Sequence, residues 1–396
     1  MNKIELLAPA GSLDRLKIAL LYGADAVYFG GRNYSLRANA KNLSIDEIKE
    51  ACEYAHNLDK KVYVTVNIVF HNEDTEGLKD YLKDLEKCGV DAIIVSDPLI
   101  IDIVMNNKIK LPIHISTQYS SANYETVMFW KNLGVERVVL GRECSREEIK
   151  EIIDKTGVEI ETFVHGAMCS SYSGRCVLSN YFTGRDANRG GCAQICRWNF
   201  DLLGDGKKID SPTKFTMSSK DLCMLEYIPD MIDIGIRSLK VEGRMRSIYY
   251  IATVINNYRR AIDDYYNGTL TKDKIKKYRK ELNDVANRDS IDQFFNKFPG
   301  VEEQYFLGRE EVSNQDFLAI VDDYDGEYVT ITSKNYFKTG DKVEFISPDR
   351  DTFMITVPDM LDIDGNKINV SNHPEDKIRF KLDKKVSKFD MMRVCK

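Results

Sequence analysis

The chain has 396 residues and 45.4 kDa, 43% of them apolar and 30% charged, enough to bury a sizeable core in two or three domains of roughly 100–200 residues each. This composition excludes a disordered or collagen-like chain, and the most apolar stretch, residues 91–104, is too short to span a membrane and is broken by Asp97, Pro98 and Asp102. With 56 basic and 62 acidic residues the net charge is −6, which excludes non-specific binding of nucleic acid over the whole surface but not through a local basic patch.

The opening Met1-Asn2-Lys3-Ile4-Glu5 meets an acidic residue and then Pro9, so it does not read as a signal peptide; a cytoplasmic protein is expected. Short Val/Ile-rich runs then recur at 4–8, 26–29, 61–67, 92–95, 113–116, 137–140, 159–164 and 238–241. Runs this short and apolar suit parallel strands covered on both faces. Between them lie helical patterns, including 44–56 with Ser44 and Glu47 at capping-box positions, 76–88 and 145–155. Several end in a Gly-[Ala/Val]-acid phrase before the next strand, as at Gly23-Ala24-Asp25, Gly89-Val90-Asp91 and Gly134-Val135-Glu136. Eight such units predict an α/β fold, a TIM-like (β/α)8 barrel ahead of an open doubly wound sheet.

Seven strand starts follow an ordinary period, but 79 residues separate Glu159 from Ser238. An insertion there stands over the barrel mouth, where such folds build their active sites. After the eighth strand, 247–267 reads as a Tyr-rich final barrel helix. The Lys-rich helix 271–287 follows, a solvated face that could also touch phosphates. From about Phe317 the pattern changes to period two, punctuated by Asp325-Gly326, Gly340-Asp341 and Asp364-Gly365. The expected division is a barrel over 1–265 with a Cys-rich insertion at 165–237, a helical linker at 266–312 and a small all-β domain, barrel or sandwich, at 313–396.

Nine cysteines without a secretory context point to metal or redox chemistry. Cys169, Cys176, Cys192, Cys196 and Cys223 fall within 55 residues, where an even spread would place about one. Only Cys192 and Cys196 approach the paired spacing of a zinc ribbon; widely spaced thiolates fit an iron–sulfur cluster better, with zinc and simple burial as the alternatives. Arg185, Arg189 and Arg197 stand among glycines in 181–198, where backbone N–H groups and guanidiniums could approach a cluster or an anion. A second polar set lies at strand ends: Asn67, Ser116, Gln118, His165, Lys240, Glu242 and Arg244. Charged residues just past barrel strands read as site, with loop salt bridges as the alternative. No His-Glu-x-x-His, Gly-x-Ser-x-Gly, P-loop or Rossmann glycine motif is present.

Leu6-Leu7-Ala8-Pro9-Ala10-Gly11-Ser12, Tyr28-Phe29-Gly30-Gly31, His165-Gly166-Ala167-Met168-Cys169, Tyr172-Ser173-Gly174-Arg175-Cys176, Asn188-Arg189-Gly190, Cys196-Arg197-Trp198, Ser219-Lys220-Asp221-Leu222-Cys223 and Leu239-Lys240-Val241-Glu242-Gly243-Arg244 resemble peptidase family U32. The resemblance runs in order over residues 4–260. It implies a [4Fe–4S] protein of the oxygen-independent hydroxylation group, whose members act on a nucleobase in tRNA (5-hydroxyuridine at the wobble position) or 23S rRNA, with prephenate as a metabolite requirement, or on a ubiquinone precursor. It assigns the cluster to Cys169, Cys176, Cys192 and Cys223, with Cys196 as the alternative ligand. The C-terminal β domain favours the RNA branch, although Arg288-Asp289-Ser290-Ile291-Asp292-Gln293-Phe294-Phe295 lacks the Thr/Gly-rich phrase common there in the tRNA enzymes. The implied partners are tRNA and, as an open question, a paired U32 homologue; neither membrane nor DNA is expected. The reading is therefore tRNA uridine hydroxylation, with His165, Glu242 and Arg244 as candidate catalytic groups. Asn67, Ser116, Gln118, Arg185, Asn188, Arg189, Lys240 and Arg244 are the candidate substrate-binding groups. A collagenase-like protease and a zinc-stabilised RNA-binding scaffold are the rivals.

Overall fold

The computed structural model describes residues 3–36, 42–210, 214–307 and 316–395, in two compact units, Met1–Glu311 and Val312–Lys396. In the first, eight parallel strands form a closed barrel: Glu5–Pro9, Ala26–Gly30, Lys61–Val66, Ala92–Val95, Ile113–Ile115, Arg137–Val139, Glu159–Gly166 and Ser238–Val241. Each pairs with the next, and closure comes from the eighth strand, whose Ser238 stands beside Glu161 of the seventh and Glu5 of the first. The strands are buried on both faces, which is why they read as continuous apolar runs and not as alternations.

The outer helices begin where side chains can satisfy their free N–H groups. Ser44 caps Ile45–His56 and Ser145 caps Arg146–Thr156, each in a capping box closed by Glu47 or Glu148 and worth about 1 kcal/mol. Asp97 caps Pro98–Asn106, with Pro98 in the first turn, where its missing donor costs nothing. The expected strands lie within two residues of the observed ones, and the TIM-like fold is present as read.

Two features differ from the sequence reading. The seventh strand runs on to Gly166, because Asp221–Cys223 returns antiparallel beside its end, pairing Cys223 with His165; Ser290–Ile291 then adds in parallel to that segment. Residues 266–307, expected as linker, belong to the first compact unit. The helix Lys272–Val285 buries Tyr278, Leu282 and Val285 against Ile248–Tyr266 and turns its lysines outward. On Ile248–Tyr266 the rings of Tyr249, Tyr250 and Tyr258 are buried, as the final-helix reading requires.

The second unit is an eight-stranded antiparallel sheet centred on Phe317–Tyr324, Tyr328–Ser333 and Met391–Val394. Val321, Val329, Ile331, Val343, Phe345 and Phe380 fill its core. The first hairpin turns at Asp325-Gly326, where the Asp325 carboxylate accepts from the N–H groups of Glu327 and Tyr328 at 3.0 and 2.7 Å.

Candidate active site at the barrel mouth

Beneath the mouth, the barrel interior holds an ionic layer where apolar packing would be the ordinary filling. Arg137 reaches Glu5 at 2.5 Å and Glu161 at 3.2 Å, and the hydroxyls of Tyr63 and Ser238 donate to Glu5 at 2.7 and 2.8 Å. Burial pushes the Glu5 carboxyl up, but the Arg137 guanidinium and these hydroxyls overcome it and hold its pKa below the ordinary range. Lys240, two residues along the eighth strand from Ser238, bonds Glu161 at 2.7 Å and lies 4.3 Å from the centre of the Tyr28 ring. Burial draws its pKa down against the pull of Glu161.

Lys240 also stands at the edge of a cavity of about 440 Å³ formed by the strand ends and the insertion. Asn67, Ser116, Gln118, Asn188, Lys240, Glu242 and Arg244 all line it, so most of the polar set expected from the sequence converges. Asn67 donates to Ser116 Oγ at 3.1 Å, and Ser116 Oγ accepts from the Gln118 N–H at 3.2 Å. Asn188 donates to the Cys176 carbonyl at 2.9 Å, which fixes one cysteine loop. Gly174, at φ +76°, lies so close to the Gln118 carbonyl that a Cβ would sit 1.9 Å from that oxygen; only glycine admits the approach.

Arg185, Arg189 and His165 are placed elsewhere, and Arg244 lines the cavity with its guanidinium already engaged. Arg189 turns from the cavity to grip Asp74 at 2.5 and 3.1 Å, tying the insertion to the loop after the third strand. Arg185 is exposed and does not line the cavity. His165 is buried within the seventh strand, its Nδ1 3.4 Å from the Tyr258 hydroxyl; burial, with Arg279 and Arg246 nearby, pushes its pKa down to about 3, so the ring is neutral. The Arg244 guanidinium is buried and donates to Ser35, Thr65 and the Leu36 carbonyl.

Four thiols, Cys169, Cys176, Cys192 and Cys196, line the cavity. Burial raises the Cys196 pKa, the neighbouring Cys169 and Cys192 add to the rise, and Arg197 opposes it. Cys223 is buried outside this lining, its Sγ 3.7 Å from the Tyr258 hydroxyl. Among the described residues no three His, Cys, Asp or Glu side chains are gathered tightly enough to hold a single metal ion. A thiol-only donor set is a soft one, and the four ligands of a cubane need not meet at one point because each binds a different iron. These residues fit such a group.

Residues 11–305 match peptidase family U32, and residues 313–393 match the peptidase family U32 C-terminal domain. The chain belongs to peptidase family U32. It is 48% identical to the tRNA hydroxylation protein P1 of Bacillus subtilis (strain 168), over 99% of this chain and 95% of that one. It is 35% identical to the tRNA hydroxylation protein P of Escherichia coli (strain K12), over 88% and 87%. The 23S rRNA 5-hydroxycytidine C2501 synthase of Escherichia coli (strain K12) is 37% identical over 66% of this chain and 40% of its own length.

Of the guanidiniums lining this U32 cavity, Arg197 is one the sequence already offers for an anion, and Arg142 is one the sequence reading of the site misses. Arg142 follows the sixth strand and lies 3.8 Å from the centre of the Phe163 ring, and Arg197, only 8% exposed, follows Cys196. No protein acceptor meets either guanidinium among the described residues. The signal for Arg142 was present, since it is a charged residue directly past a barrel strand. Among the described residues, five basic side chains and one carboxylate, Glu242, line the cavity, which therefore favours an anionic occupant.

Proposed function

We propose that this U32 protein hydroxylates C5 of a uridine in tRNA, at the wobble position, acting in the cytoplasm without molecular oxygen. The chemistry uses a [4Fe–4S] cluster held by Cys169, Cys176 and Cys192, with Cys223 or Cys196 as the fourth thiolate. The observation that carries the reading is the 48% identity, over nearly the whole of both chains, to a protein named for tRNA hydroxylation. The thiol-lined, cationic cavity supports it.

When bound, the cluster supplies electron transfer that no side chain of the cavity offers. The polypeptide binds and orients. Asn67, Ser116, Gln118 and Asn188 present amides and hydroxyls to the base edge and ribose, and the Glu242 carboxylate is suited to accept from the uracil N3–H. Arg142 and Arg197 offer guanidiniums to a carboxylate-bearing co-substrate, for which the family resemblance supplies prephenate. Converting C5–H to C5–OH removes two electrons from the base, so this second reactant and the cluster must between them deliver oxygen and accept electrons.

Mass spectrometry of tRNA nucleosides from a deletion strain tests the proposal. Loss of 5-hydroxyuridine derivatives, restored by the wild-type gene, is expected; an unchanged nucleoside profile overturns it. Anaerobically purified protein should carry about four iron and four sulfide per chain. Zinc alone would favour an RNA-binding scaffold. Cleavage of gelatin by metal-free protein would favour the peptidase activity in the family name.

A further inference from the structure

The insertion carries aromatic rings into solvent beside the cavity. Tyr181 is 86% exposed on the helix Leu178–Thr183, whose Leu178 and Ser179 line the cavity wall. Tyr172 lines the cavity itself yet is 58% exposed. Phe182, next to Tyr181, packs edge-on against Trp198 and Phe200 at centroid distances of 6.4 and 5.9 Å. Water is a poor environment for such rings, and exposed aromatic clusters mark interaction surfaces.

Charge identifies the partner. Residues 169–215 contain seven basic and four acidic side chains, a net +3 in a chain whose total is −6. Arg175, Arg185 and Lys207 are exposed, and none of them forms an ion pair among the described residues. Rings interleaved with unpaired cations suit a strand of nucleic acid, whose bases stack and whose phosphates take the charges. A cavity of about 440 Å³ receives one nucleotide and no duplex.

We propose that Tyr172 and Tyr181 are stacking platforms for the bases flanking the target nucleotide in a single-stranded RNA loop, with Arg175 and Arg185 meeting the adjoining phosphates. The assignment rests on the RNA-modification reading above and adds to it the surface that selects looped over paired RNA.

Fluorescence anisotropy with the full chain, a labelled tRNA anticodon stem–loop and a fully paired duplex of equal length tests it. The wild type is expected to prefer the stem–loop. Tyr181→Ala and Tyr172→Ala should each weaken binding by about tenfold. Tyr181→Phe should bind as the wild type does, because stacking uses the ring face. Arg185→Gln should lower the slope of log Kd against log salt by about 0.7. Thermal melts of the same variants should match the wild type, since these side chains are exposed. Stem–loop binding unchanged in both alanine variants, or equal wild-type affinity for loop and duplex, overturns the platform while leaving the RNA reading in place. Wild-type protein that binds neither RNA overturns both.

Discussion

Arg244 Nη1 donates to Ser35 Oγ at 2.9 Å, linking the loop after the eighth barrel strand to the loop after the second. The same nitrogen bonds Thr65 Oγ1 at 3.2 Å, and Nη2 bonds the Leu36 carbonyl. The sequence offers Arg244 as a catalytic or substrate-binding group, and in the folded chain its donors hold the barrel rim. Arg244→Lys keeps the charge and loses the planar fork, leaving acceptors unmet at about 1–3 kcal/mol. The melting temperature should fall by several degrees, with tRNA modification falling in proportion to folded protein. Activity lost at an unchanged melting temperature would return Arg244 to the ligand.

The ionic layer predicts a larger effect from Arg137. Arg137→Met fills similar volume but leaves the buried Glu5 and Glu161 carboxylates with Lys240, Tyr63 and Ser238 alone. Removing one partner of a buried ionic group costs about 3–5 kcal/mol. Denaturant titration should show that loss, and Glu5→Gln combined with Arg137→Met should recover part of it. A single variant as stable as the wild type would mean that the layer contributes little.

The pH dependence follows from two buried imidazoles. In the unfolded chain a histidine gains its proton near pH 6.5. In the folded chain His165 resists protonation down to about 3, and burial holds His114 well below its ordinary value, with Arg137 and Lys240 adding to the effect. Between these limits the unfolded state binds more protons, so stability is complete above pH 6.5 and falls as pH falls. His165 contributes a loss of about 2 kcal/mol between pH 6.5 and 5, and His114 acts in the same direction. Asp221 works in the opposite sense, because burial raises its pKa and the folded state takes up that proton earlier. His165→Gln should flatten the fall in unfolding free energy measured at pH 6.5 and pH 5 by about one histidine's share. A variant with the wild-type pH dependence would show that His165 is not the neutral buried group described.

Sequence shows the barrel because each strand is a local Val/Ile run and each helix start a local capping pattern; Ser44 and Glu47 need only each other. It shows less where a partner is remote. The end of the seventh strand at Gly166 depends on Leu222, which pairs with it from across the insertion, and the Lys-rich helix counts as barrel only because Tyr278 and Leu282 meet the Tyr-rich helix. The site divides in the same way. Residue types after strand ends place Asn67, Ser116 and Lys240 at the cavity, but the direction a side chain takes is decided by its acceptor: Asp74 turns Arg189 away, while Arg142, with none among the described residues, stays over Phe163.

Cys176 lies in the insertion and lines the cavity with Cys169 and Cys192, whereas Cys52 is buried within the helix Ile45–His56, where burial pushes its thiol up to about 12. Cys176→Ala is expected to abolish iron and sulfide binding and Cys52→Ala to leave both unchanged, measured on anaerobic protein of matched folding. A cubane takes one of the two remaining thiols. Cys196 shares the cavity and the neighbourhood of Cys169 and Cys192; Cys223 is engaged with Tyr258, which also bonds the Val164 carbonyl at 2.8 Å and the Met224 N–H at 3.1 Å. One of Cys196→Ala and Cys223→Ala should therefore empty the site and the other retain wild-type iron. If Cys223 is the ligand, Tyr258→Phe, which removes the hydroxyl beside the sulfur, should alter the visible absorption of the bound cluster; if Cys196 is, that spectrum should not move. Wild-type iron in Cys176→Ala, or in both of the other variants, would show that the insertion does not hold the cluster through these thiols.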